Sequence, residues 1–285
     1  MKNKILITGM TGNVGSEVVK FLQLANIDYK AAVRNIDKAI KDYGSDIEYV
    51  KFDFLNQATY KEAFDGANKL FLVRPPALAD FQKQLKPTLD YAKQVGVEQI
   101  VFLSLMGIER NPIPPHYKIE KYIKSLGIPY TFLRPSFFMQ NLNQAHCFDI
   151  KERNQLFIPS GKAKVSFIDT RDISEIAAKV LIEEGHDNKA YTLTGGNAID
   201  YFQVASIFTE ILGRNIVYSN PSPLHFRRTM IQRGIDKKFA NVMVGLYLTT
   251  RMGMAKKVTL ETEKLLGRKP RTVREYVIDY IECWK

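Results

Sequence analysis

Short apolar runs and longer amphipathic stretches alternate along the first 135 residues. The runs ILIT (5–8), YKAAVR (29–34), IEYVKF (47–52), KLFLV (69–73), QIVFLS (99–104) and YTFLR (130–134) are rich in aliphatic, β-branched and aromatic residues, the pattern of strands. Between them, apolar positions recur at helical spacing over about 13–25, 36–43, 57–65, 78–95 and 116–126. Such alternation with apolar strands implies a parallel sheet covered on both faces. Its ligand crevice would open at the carboxyl ends of the strands. After Pro135 the rhythm changes. A helix holding Phe137, Phe138 and Met139 is expected first, then the short runs LFIPSG and KVSFIDT. A helix from Asp172, the strand AYTLTG, a helix from Tyr201 and the strand NIVYS follow, and from Pro221 the chain reads as nearly all helical. The expected fold class is therefore α/β: a doubly wound parallel sheet with a core in residues 1–135. Residues 136–285 would supply the remaining sheet-extending segments and a small mixed, mainly helical C-terminal lobe that binds substrate.

The first strand runs into ITGMTGNVG, where Gly9, Gly12 and Gly15 stand three residues apart and a helical pattern begins. Gly-x-x-Gly-x-x-Gly between a strand and a helix is the setting a dinucleotide requires. One glycine makes the tight turn, one lets backbone approach a pyrophosphate, and one lets helix pack on strand. The helix start then offers N–H groups and a partial positive charge to the phosphates. Strand, spacing, helix and position agree, which favours a bound dinucleotide over a plain turn. The candidate cradle is Gly9, Thr11, Gly12, Asn13, Val14 and Gly15.

At the end of the second strand, NAD binders carry an acidic residue for the ribose 2′-hydroxyl. Here the chain has Arg34, then Asn35, with Lys38 one helical turn on. A guanidinium fork suits a phosphate, so NADP(H) is expected over NAD(H). The alternative is that Arg34 is a solvent-facing cap residue. Asp53 and Phe54, ending the third strand, are placed to touch the adenine. Val73, Arg74 and Pro75, ending the fourth, are placed under the second ribose. Phe137 follows the sixth strand and is expected to face the same crevice. No flavin motif is visible.

Composition narrows the class. The chain has 285 residues, 45% of them hydrophobic, enough for a sizeable core. No apolar run approaches the ~18 residues of a membrane span, so no membrane insertion is expected. Lys2 and Lys4 precede only a short aliphatic run before Thr8 and Gly9, which is not a secretory leader. The two cysteines, Cys147 and Cys283, show no pairing motif, which fits a reduced, cytoplasmic compartment. Four histidines without a Cys/His cluster give no structural metal site. Net charge is +11, and from Pro221 to Lys285 there are 14 Lys+Arg against 6 Asp+Glu. These charges interleave with helical apolar positions. They read either as a solvated helix surface or as a dedicated face for anions or nucleic acid, the first being favoured.

The segments ITGMTGNVG, AAVRN, FDFLNQATYKEAFDGANKLFLV, YAKQVGVEQIVFLS, HYKIEKYIKSLGIPYTFLRPSFFMQNL, IDTRDISEIAA and YTLTGG together resemble the NmrA-like group of atypical short-chain dehydrogenases/reductases. The resemblance runs from Met1 to about Gly213, and TETEKLLGRKPRTVREYV looks like that group's C-terminal helices. It implies an NAD(P)-binding Rossmann domain with a small C-terminal lobe. Members include NAD(P)H-dependent quinone and azo-compound reductases. Others are redox-sensing regulators that bind the dinucleotide, do no chemistry and act through a protein partner.

Reductases of the wider superfamily use a Tyr-x-x-x-Lys helix. Tyr117 and Lys121 have that spacing, but the register of the resemblance puts His116 in the lysine position and Pro112 in the tyrosine position. His116 and Ser104 are therefore the catalytic candidates. His116 would donate to the nicotinamide carboxamide or a substrate oxygen, or else be a capping or surface histidine. Ser104 would orient substrate, or else bond to backbone. A quinone needs no strong acid, because its reduced anion is weakly basic. The expected activity is hydride transfer from NADPH to a quinone-like or other electron-poor planar acceptor. A non-catalytic NADP(H) sensor is the alternative, and isomerase or epimerase chemistry on a nucleotide sugar is disfavoured by the missing tyrosine.

Overall fold

The computed structural model describes residues 4–285. Met1, Lys2 and Asn3, which open the expected core, lie outside the described residues. The chain divides into two compact units, Met1–Pro135 with Thr170–Leu193, and Ser136–Asp169 with Thr194–Lys285. Elements are numbered along the chain.

The first unit contains β1 (Lys4–Ile7), β2 (Tyr29–Val33), β3 (Tyr49–Lys51), β4 (Ala67–Val73), β5 (Gln99–Leu103), β6 (Tyr130–Pro135) and β8 (Lys189–Leu193). They form one sheet in the order β3-β2-β1-β4-β5-β6-β8, every pair parallel. Its helices are α1 (Gly15–Leu24), α2 (Ile36–Tyr43), α3 (Tyr60–Phe64), α4 (Lys86–Gln94), α5 (Pro115–Ser125) and α7 (Thr170–Ile182). Strand order reverses between β1 and β4, and this reversal is where a doubly wound sheet opens its crevice. The segment that returns from beyond residue 135 brings α7 and β8. α7 is fixed to the start of α1 by the Ser174 hydroxyl, 2.9 Å from the Val14 carbonyl oxygen.

One face of the sheet buries Leu6, Leu70, Leu72, Phe102 and Phe132 with Leu89 of α4 and Ile119 and Ile123 of α5. Each such side chain contributes about 1.5–3 kcal/mol by leaving water. The stretch expected as a single helix over 78–95 is instead a π-helical stretch, Phe81–Leu85, followed by α4. Pro87 has no N–H and crowds the carbonyl four residues back, so a regular α-helix cannot run through it.

The second unit contains α6 (Cys147–Arg153), α8 (Tyr201–Leu212), α9 (Pro223–Gln232), α10 (Lys237–Arg251), α11 (Glu261–Leu266) and α12 (Val273–Asp279). Its one small sheet pairs β7 (Gln155–Leu156) with β9 (Val217–Tyr218) in parallel. Asp200 with Gln203 and Thr272 with Glu275 form capping boxes on α8 and α12, which satisfy helix-start donors. The wholly buried Trp284 packs edge-on against Phe208 at 4.8 Å. Arg233 makes a two-pronged ion pair with the buried Asp149 at 2.7 and 2.9 Å. His146 is buried, with its Nε2 2.6 Å from the Tyr247 hydroxyl. Two expectations change here. The helix foreseen around Phe137 is a single 3₁₀ turn, Met139–Asn141. KVSFIDT forms only isolated bridges, Val165 with Ile199 and Ile168 with Phe138.

Candidate functional site

β1 ends at Ile7 and turns through Gly9, whose φ of +70° belongs to glycine. Thr8 ties this turn to the end of β4: its hydroxyl donates to the Phe71 carbonyl (3.0 Å) and accepts from Val73 N–H (2.8 Å). A Cβ on Gly9 would fall 2.7 Å from Val73 Cβ, and one on Gly15 only 2.3 Å from the Gly9 carbonyl oxygen. Both glycines are demanded by the chain's own packing. Gly12 differs. It is exposed, and a Cβ there would meet only the Gly9 oxygen, at 3.3 Å. The space in front of Gly12 is open to whatever approaches from outside.

α1 starts after Val14 with no side-chain cap among the described residues, so no side chain takes up its first N–H groups; Ser16 N–H donates back to the Gly12 carbonyl at 3.1 Å. The loop carrying them is held from behind. The Tyr43 hydroxyl donates to the Thr11 carbonyl (3.1 Å), and Gly12 N–H donates to the Gly9 carbonyl (3.0 Å). Asn13 is half-buried in the same turn.

Arg34 directly follows β2 and is exposed. No ion pair or hydrogen bond engages its side chain or that of Lys38 among the described residues. The cap of α2 is the neighbouring Asn35, whose Oδ1 accepts from Lys38 N–H at 2.9 Å. Arg34 is therefore an unengaged cation beside a helix start and not the cap residue.

At the end of β3, Asp53 Oδ1 accepts from Leu55 N–H (2.9 Å). The Phe54 ring is buried, edge-on to Phe52 at 4.9 Å, so the ring expected against an adenine belongs to the core. The neighbouring Leu55 is the exposed apolar side chain, at 61%. Period-two alternation from the buried Phe52 carried that information. Arg74 turns back on its own loop, with Nη1 donating to the carbonyls of Pro75, Pro76 and Leu78 at 2.9, 3.0 and 2.8 Å. Its Nε is buried without a hydrogen-bond partner among the described residues.

α5 presents His116, Ile119, Glu120 and Ile123 on its buried face, the i, i+3, i+4, i+7 row of a packed helix. His116 stacks on Phe102, centroids 5.8 Å apart, and its Nδ1 is buried without a hydrogen-bond partner among the described residues. Burial, with the Arg74 charge adding to it, pushes the His116 pKa down to about 3. The residue is thus neither a cap nor a surface group; it is a neutral imidazole near pH 7. Tyr117 is half-buried and Lys121 exposed, both off the buried row.

Ser104 does not bond to backbone through its proton. Its hydroxyl donates to Glu120 Oε1 at 2.6 Å. Arg134 grips the same carboxylate through Nε (3.0 Å) and Nη2 (2.6 Å). With its one proton committed, Ser104 has only lone pairs to offer. Glu120 and Arg134 stand 14 residues apart, a spacing that gives no sign of this cluster in the sequence. Phe137 lies in the second unit, half-buried, with its ring 6.4 Å from that of Tyr247.

The first unit thus offers an uncapped helix start for one anionic group, an unengaged Arg34 for a second, and a buried neutral imidazole with an unsatisfied nitrogen. Known proteins share the sequence pattern and the fold. The NAD(P)H azoreductase of Xenophilus azovorans is 32% identical over 279 residues, covering 95% of this chain and 96% of that protein. The Citrobacter sp. triphenylmethane reductase complexed with NADP(H) superposes with a TM-score of 0.86 at 25% identity, covering 98% of this chain and 99% of that one. The Escherichia coli NADPH-dependent quinone oxidoreductase complexed with NADPH gives 0.86 at 26%, again over 98% and 99%. The NmrA-like family model matches residues 1–277, and the chain belongs to the NmrA-like family.

Proposed function

We propose that this chain is an NADPH-dependent reductase that passes hydride directly to a quinone-like or other electron-poor planar acceptor. The observation that carries the reading is the open face of Gly12 at an uncapped helix start, with the unengaged Arg34 at the end of the next strand. The residues fit the dinucleotide. The N–H groups at the start of α1 would hold the pyrophosphate. Arg34 would fork onto the 2′-phosphate, with Lys38 adding charge. Asp53 and the Val73–Pro75 segment would border the adenine and the second ribose. The bound nicotinamide supplies the hydride.

His116 stays neutral, so it serves as a hydrogen-bond partner to a carboxamide or acceptor oxygen and not as a cationic acid. Ser104 would accept a hydrogen bond, since Glu120 holds its proton. The proton that completes the reduction then comes from solvent, which suffices for a weakly basic hydroquinone anion. The relatives named for azo-compound, triphenylmethane and quinone reduction support this acceptor class. One observation favours a second reading, a dinucleotide sensor acting through a protein partner: Pro112 stands where the resemblance expects a proton-donating tyrosine. NADPH oxidation against quinones, azo dyes and aldehydes separates the two. Turnover of the planar acceptors supports the reductase, and tight binding without turnover supports the sensor.

A further inference from the structure

The α9–α10 hairpin of the second unit has an apolar face that lies open to solvent. α10 buries Ala240, Met243, Tyr247 and Thr250. A second apolar row, Phe239, Val242 and Leu246, is exposed at 49%, 55% and 47%. At about 100° per residue the spacing i, i+3, i+7 sets these three within about 60° of one another. A helix with one face buried ordinarily turns polar residues to water on the other. Leu224 on α9 and Met252 just after α10 add exposure of 79% and 77%.

The same segment is strongly basic. Between Pro221 and Val258 there are eight Lys and Arg and a single acidic residue, Asp236, which caps α10. Arg233 is taken by Asp149 and Arg227 by Asn241. Arg228, Lys237, Lys238, Lys256 and Lys257 are exposed, with no ion pair among the described residues. At about 100° per residue Lys238 flanks the apolar row, whereas Lys237 lies on the far side of the helix; both occupy the first turn, where the helix dipole disfavours cations. An anionic surface laid there would reverse that penalty.

Charge decides between occupants. A second copy seated on this face about a two-fold axis would bring two cationic hairpins together. An anionic bilayer satisfies both features at once: apolar side chains enter the headgroup boundary while the amines meet phosphates. No helix among the described residues is long and apolar enough to cross a membrane, so the contact is peripheral. We propose that the α9–α10 hairpin is a docking surface for anionic phospholipid bilayers. The inference stands apart from the dinucleotide reading.

Co-sedimentation of the full chain with vesicles tests it. The protein should pellet with phosphatidylcholine vesicles containing phosphatidylglycerol, be released by high salt, and stay in solution with phosphatidylcholine alone. Lys238→Glu should weaken binding by at least about five-fold, the expectation for one cation removed near the surface. Phe239→Ser with Leu246→Ser should abolish it and leave the circular dichroism spectrum and NADPH binding unchanged, because both side chains are about half exposed and lie off the row that α10 buries. The proposal is overturned by absence of pelleting, by equal binding to neutral vesicles, or by variants that bind like the parent. It is also overturned if the Phe239/Leu246 variant instead loses a concentration-dependent dimer in sedimentation velocity, since the face would then cover a second copy.

Discussion

An added Cβ meets the Gly9 carbonyl oxygen at 2.3 Å from Gly15, but only at 3.3 Å, with nothing else near, from Gly12. The two glycines therefore fail differently. Gly15→Ala should lower unfolding free energy by about 1–3 kcal/mol, the usual cost of overpacking, as read by urea titration. Gly12→Val should keep the fold, seen by circular dichroism, and lose NADPH binding, because its side chain fills the space a pyrophosphate would enter. At Arg34 the issue is selectivity. A lost charge-assisted contact costs about 1.5–3 kcal/mol, so Arg34→Ser should weaken NADPH by about 10- to 100-fold and leave NADH nearly unchanged in calorimetric titration. Equal losses for both cofactors would remove the 2′-phosphate assignment.

At the scale of the element, α5 sorts its residues by face. His116 and Glu120 lie on the buried row and Tyr117 and Lys121 do not. Tyr117→Phe should leave kcat within a few-fold of the parent, whereas a positioned general acid would be worth about 10²–10⁴-fold. His116→Ala should cost more than Tyr117→Phe, and steady-state rates on one quinone compare them. The strands and helices of residues 1–135 were readable because buried parallel strands are continuous apolar runs and their helices keep a strict apolar period. Exceptions have local causes. Pro87 widens the turn before α4, and Asn35 takes the α2 cap that Arg34 was weighed for. After Pro135 the bridges of Val165 and Ile168 leave no period to detect. The Gly turn and Arg34 were legible because their chemistry is local. The Ser104–Glu120–Arg134 cluster joins β5, α5 and β6, and only the folded chain shows it.

Across the whole molecule, two buried histidines contribute to the response to acid. His116 is pushed to about 3 and His146 to about 4, both mainly by burial. Unfolded, each would titrate near pH 6.5. Between those values the unfolded chain binds more protons than the folded one, so stability rises with pH and falls on acidification below about 6.5. Each histidine should cost about 2 kcal/mol at pH 5 relative to neutral pH. Urea midpoints at the two pH values should show the loss, with a smaller drop in His116→Gln.

If the Gly12 cradle holds NADPH for direct hydride transfer to a planar acceptor, the transfer itself is measurable. Its most direct test mixes the protein with NADPH and a quinone without oxygen, following nicotinamide absorbance and quinol together against a protein-free blank. Protein-dependent oxidation is expected, with one quinol formed per NADPH consumed and no activity in Gly12→Val. Tight NADPH binding by the parent chain with no oxidation above the blank would contradict it.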